Sequence, residues 1–122
     1  MKTIKWNDVP IAENPHGVDA RKLYDTQNAQ VIHITLKPGE KLIKHITPVD
    51  VIFYVLEGVG TAEIGDEKQK VEPDTLIDSP ANIPHCWYNE NDEILRFLVI
   101  KVPRRPNPPS CFEDLRKHRL VQ

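Results

Sequence analysis

Two apolar blocks, each carrying a histidine and each entered through a proline or glycine turn, constrain this chain more than any other feature. The first runs from Pro38 to Gly58, PGEKLIKHITPVDVIFYVLEG. The second runs from Glu72 to Asn89, EPDTLIDSPANIPHCWYN. β-Branched and aromatic residues dominate Val51 to Leu56 in the first, and in each block the histidine sits just after a proline or glycine turn. Such a pair predicts two strands that bring His45 and His85 together inside one small β-structure.

The flanking sequence extends that pattern. Gln30 to Leu36, QVIHITL, alternates as a strand, with Ile32, Ile34 and Leu36 on one face and Val31, His33 and Thr35 on the other. Val51 to Leu56 is apolar on both faces, as in a strand covered on both sides. Gly65-Asp66 joins Thr61–Ile64 to Lys68–Glu72 as a hairpin. Lys68, Gln69 and Lys70 put charge on an exposed strand, which discourages edge pairing. Thr75 to Ile77, Cys86 to Tyr88 and Ile94 to Val102 complete the strand set. Asp19 to Leu23 reads either as one helical turn or as an extended segment along a sheet edge. Residues 103 to 109, PRRPNPP, form an extended connector that cannot enter a sheet. Ser110 to Val121 reads as a short helix, with Ser110 and Glu113 at capping-box spacing. The predicted organisation is one domain: an N-terminal arm (1–29), an all-β antiparallel barrel or jelly roll (30–102), and a connector with a C-terminal helix (103–122).

Composition narrows the function classes. At 122 residues with a formal charge of −2, the chain lacks the basic excess that nucleic-acid or membrane-surface binding needs. Its longest apolar run is too short to span a bilayer, and the N-terminus has no signal-like core, so a cytoplasmic location is expected. Cys86 and Cys111 form no CxxC unit, which excludes a structural zinc knuckle, and a reduced pair is expected.

With both blocks in view, the chain resembles the cupins. In that family a first motif sets a glycine six positions before a histidine and ends on a second glycine; here these are Gly39, His45 and Gly58. A second motif ends on proline, histidine and asparagine; here these are Pro80, His85 and Asn89, with Asp74 and Asn82 where glycines are usual. The 15 residues between the motifs match compact single-domain members. The resemblance implies a cupin jelly roll and a divalent metal (zinc, iron, manganese or nickel) held by three histidines and a glutamate. Only His45 and His85 carry over as metal ligands, because Thr47 and Val51 occupy the other two positions. Asp50, Asp78 and His33 are the candidates to complete the set.

The candidate ligand-contacting residues are therefore His45, Thr47, Phe53, Asp78, His85 and Trp87. His33 reads more readily as a hydrogen-bonded filler, and His16 and His118 as surface residues. Cys86 should face away from His85 by strand alternation, which argues against a Cys-His nucleophile. Lys101, Arg104 and Arg105 form a local basic cluster near the barrel rim. Three functional readings stay open. One is a barrel that binds a small molecule around His45 and His85, with or without a weak metal. The second is a metal-dependent oxygenase or isomerase. The third is a metal-free epimerase or isomerase with a histidine base. Unpaired sheet edges and the terminal segments lead to the expectation of a homodimer.

Overall fold

Nine strands account for most of the computed structural model, which describes residues 1–103; the predicted C-terminal helix, Cys111, Arg104 and Arg105 lie outside the described residues. In chain order they are β1 (Asp19–Asp25), β2 (Gln30–Leu36), β3 (Lys41–His45), β4 (Asp50–Glu57), β5 (Gly60–Ile64), β6 (Glu67–Val71), β7 (Leu76–Ser79), β8 (His85–Tyr88) and β9 (Leu95–Val102). They form two antiparallel sheets, ordered β1-β2-β9-β4-β7 and β3-β8-β5-β6. The non-consecutive neighbours are the crossovers of a jelly roll. No helix among the described residues is long and apolar enough to cross a membrane.

Alternation decides what is inside. Along β4, Val51, Phe53 and Val55 are buried while Ile52, Tyr54 and Leu56 are half-buried on the outer face. Ile34, Leu36, Leu95, Phe97 and Val99 join them from the first sheet, facing Leu42, Ala62, Val71 and Trp87 from the second. Phe97 stacks on Trp87 at 4.1 Å between ring centroids, and Phe53 meets Trp87 edge-on at 5.3 Å. Aromatic pairs in these geometries add to the hydrophobic gain of burial.

The turn chemistry matches the backbone. Asp74 and Asn82, which stand where the resemblance expects glycine, have φ of 64° and 66°. Asx residues are the non-glycine types that best tolerate this left-handed region. Gly58 has φ +82°, and a Cβ there would run into the carbonyl oxygen of Ile94. Asn89 is buried in the core of the turn that follows β8. Its side-chain amide donates to the carbonyls of Leu36 and Glu93, both at 2.8 Å, so it staples two loops together.

The N-terminal arm lies on the barrel. A single 3-10 turn (Trp6–Asp8) sets the Trp6 indole over His33 at 4.2 Å, nearly parallel, on the outer face of the first sheet. The Arg96 and Arg21 guanidinium groups cover the same indole at 4.7 and 5.1 Å. Of the two options open for residues 19–23, the extended one is found: β1 is the edge strand beside β2.

Candidate functional site

β3 and β8 pair so that His45 stands directly opposite His85. The register between them slips after Leu42, a bulge that removes Ile43 from the ladder and re-aims the residues that follow. The bulge frees the Ile43 backbone, and two imidazoles take it. The Ile43 amide donates to His16 Nδ1 at 2.8 Å, and His45 Nδ1 lies 2.8 Å from the Ile43 carbonyl oxygen.

These bonds assign tautomers. His45 must donate through Nδ1, because a carbonyl can only accept. Its Nε2 then carries a lone pair, which faces His85 Nε2 at 3.1 Å. His85 therefore donates through Nε2, and its Nδ1 accepts from the Ser79 hydroxyl at 2.8 Å. The result is a directed chain: Ser79 to His85, His85 to His45, His45 to the Ile43 carbonyl. Each ring nitrogen of the pair is satisfied with both rings neutral. Thr47 Oγ1 sits 3.4 Å from His85 Nε2, too far for a strong bond.

Electrostatics favour the neutral form of His85 and of His16. His85 is 3% exposed, and its pKa is pushed down to about 4, by burial first and then by His45, Lys101 and His16. Burial, with His45 and Lys101 next, also lowers that of His16. A buried imidazole loses hydration when charged, and nearby cations penalise the charge further.

A cavity of about 390 Å³ opens above this pair. His16, His45 and His85 line it together with Lys22 and Lys101, while Ile32, Ile34, Leu42, Phe53 and Val99 supply apolar walls. No aspartate or glutamate is among the described residues that line it. Two larger clefts open elsewhere, one between β6 and β7 and one beside Gly58 and Asn91, and neither contains an imidazole.

The sequence-predicted residues fall in several places. His45, His85 and Phe53 share the cavity, with Phe53 edge-on to His85 at 5.3 Å. Thr47 is buried beside His85 but is not part of the cavity wall. Trp87 is fully buried below, in the aromatic core. Asp78 is exposed and lines the cleft between β6 and β7, because Ser79, not Asp78, has the inward parity of Val51 across β4 and β7. Asp50 accepts from the Ala81 amide at 3.0 Å and so pins the turn leading to His85. His33 lies on the opposite face, under Trp6, accepting from Arg96 Nε at 3.2 Å. Burial, then Arg96, pushes its pKa down to about 4. Cys86 faces away from the cavity, with Sγ 3.3 Å from the Tyr88 hydroxyl.

His16 corrects the surface reading. It is half-buried, lines the cavity and tilts against His45 at 5.3 Å between centroids. Ser79 was also missed. Its signal was the strand parity just described; His16 had none, since its partner is 27 residues away.

The family model "Cupin domain" matches residues 32–101, more than half of the chain. The chain is a cupin. It is 31% identical over 94 residues to the uncharacterized protein MJ0764 of Methanocaldococcus jannaschii, covering 76% of this chain and 80% of that protein. The crystal structure of MJ0764, described as an RmlC-like cupin with a double-stranded β-helix fold, matches with a TM-score of 0.67 at 26% identity, over 78% of this chain and 88% of that one. The polyketide cyclase RemF from Streptomyces resistomycificus matches with a TM-score of 0.74 at 26% identity, over 88% and 82% of the two chains. A predicted oxalate decarboxylase from Thermotoga maritima reaches 0.76 at 16% identity, over 84% and 100%, a likeness of fold.

Cupins often bind metals, and a divalent ion ordinarily takes three or four protein donors. The 3.1 Å between the two Nε2 atoms is a spacing that two ligands of one ion also adopt, so distance alone is neutral. The donor count decides. Val51 is buried where a carboxylate would stand, Thr47 offers a neutral hydroxyl, and His16 Nδ1 is taken by Ile43. Among the described residues no group of three or more His, Cys, Asp or Glu is arranged to hold a metal. Two imidazoles do not fit a resident, tightly held ion, which ordinarily takes three or four protein ligands.

Proposed function

We propose that this cupin binds a small acidic molecule in the cavity above His45 and His85, without a resident metal. One observation carries the reading: three imidazoles and two lysines converge on a cavity of about 390 Å³ with no carboxylate among its described lining residues. A low-dielectric pocket lined by one sign of charge concentrates the opposite one. Lys101 lies close enough to both His16 and His85 to lower their pKa values, so its field reaches the floor. The apolar walls suit a short hydrocarbon chain or a single ring attached to the acid group.

The test uses the full chain, dialysed against EDTA, and compares benzoate and hexanoate with benzamide and hexanamide by calorimetry. The acids are expected to bind at least about tenfold more tightly than their amides, the margin of one or two charge-assisted contacts. Equal affinities would refute the reading. Acid binding that vanishes after EDTA treatment would return the site to a metal.

A second reading is metal-free isomerase or epimerase chemistry with His45 as the base, which requires its Nε2 to exchange the His85 N–H for a substrate proton. The rest of the hydrogen-bond chain holds that ring in one tautomer, as a base requires. Exchange of the α-hydrogens of 2-oxobutanoate in D2O, abolished in His45→Ala, would support this chemistry. Exchange no faster than in buffer would count against it.

A further inference from the structure

We propose that His16, supplied by the N-terminal arm and not by either sheet, is a ligand-binding residue that donates its Nε2–H to the acid group in the cavity. This rests on the acidic-ligand reading and adds the residue that recognises the acid. In the neutral network His45 gives its N–H to the Ile43 carbonyl, and His85 gives its own to His45. Neither has one left for a ligand. His16 accepts the Ile43 amide through Nδ1, so its proton is on Nε2, and that nitrogen has no partner among the described hydrogen bonds. Of the three imidazoles lining the cavity, His16 is the one with an uncommitted donor.

The loop that carries His16 is built to hold it still. Asn14 Oδ1 accepts from the amides of His16 and Val18 at 3.1 and 3.2 Å. Asn14 Nδ2 donates to the carbonyls of Ala12 and Val18 at 3.0 and 2.8 Å. The Ala12 amide is tied to the Ala20 carbonyl at 2.8 Å, which anchors the loop to β1. The imidazole is then locked by the bulge in β3. A donor fixed in advance costs less ordering entropy when the ligand arrives.

Two substitutions separate the two ring nitrogens. In His16→Asn the short side chain reaches the Nδ1 position, so the Ile43 amide keeps an acceptor while the donor towards the ligand is lost. In His16→Gln the longer amide reaches the Nε2 position and keeps the donor. Benzoate and benzamide are titrated into the full-length wild type and both variants, with amide NMR spectra as the check on folding. His16→Asn is expected to bind benzoate about tenfold more weakly, and benzamide as before; His16→Gln should stay within about threefold of wild type. Benzoate binding by His16→Asn equal to wild type, or an equal loss in both variants, would overturn the role of His16 and leave the acidic-ligand reading standing. A wild type that does not prefer benzoate to benzamide would overturn both.

Discussion

Ser79→Ala gives the most direct check on the directed hydrogen-bond chain. Ser79 is fully buried and gives its hydroxyl proton to His85 Nδ1 at 2.8 Å. Alanine fills nearly the same space but leaves a buried ring nitrogen without a donor. Such an orphaned acceptor costs about 1–3 kcal/mol, so about 2 kcal/mol is expected. In a domain of this size that is a fall in Tm of about 8 °C. Thr47→Val is the control. It removes a hydroxyl that lies 3.4 Å from the same ring and contributes little, so it should stay within about 0.5 kcal/mol of wild type. Urea denaturation measures both. Long-range proton–nitrogen NMR of the rings reads the tautomers, with Nε2–H expected for His85 and His16 and Nδ1–H for His45. An Nδ1–H signature at His85, or equal costs for the two substitutions, would refute the assigned direction of the chain.

Acid stability follows from the two deeply buried imidazoles. His33 and His85 have folded-state pKa values of about 4 against an ordinary 6.5, so between those pH values the unfolded chain binds more protons. Stability is therefore complete above pH 6.5 and falls as pH drops towards 4, by up to about 3 kcal/mol per histidine. Urea midpoints from pH 4.5 to 7.5 should show this slope, and His33→Gln should flatten it by about half; a midpoint that rises on acidification would contradict the burial argument. Gly58→Ala should cost at least about 3 kcal/mol, because its positive φ and the approach of the Ile94 carbonyl act together. A Tm within 2 °C of wild type, on the order of 0.5 kcal/mol, would show that the turn can relax.

Several parts of the site were legible before any tertiary contact was considered. The parity of QVIHITL separated Ile32 and Ile34, which line the cavity, from His33, which lies under Trp6. Asp74 and Asn82 sit at left-handed turn positions because their short polar side chains tolerate that conformation. Pairing of the two histidine-bearing strands set His45 opposite His85. Where the reading failed, it did so through non-local contacts. Asp78 faces out and Ser79 in, because the pairing of β7 with β4 sets Ser79 opposite Val51, and His16 reaches the site from the arm.

By itself, then, the sequence determined the strands, their turns and the meeting of His45 with His85, since alternation and backbone torsions act over a few residues. The tertiary structure decided which groups speak to that pair. A bulge after Leu42 exposed one peptide unit, and His16 from the arm and His45 from the strand divided its two polar groups between them. The physical reason is that a buried donor or acceptor must find a partner wherever the fold offers one. The identity of that partner is a property of packing, and no local pattern encodes it.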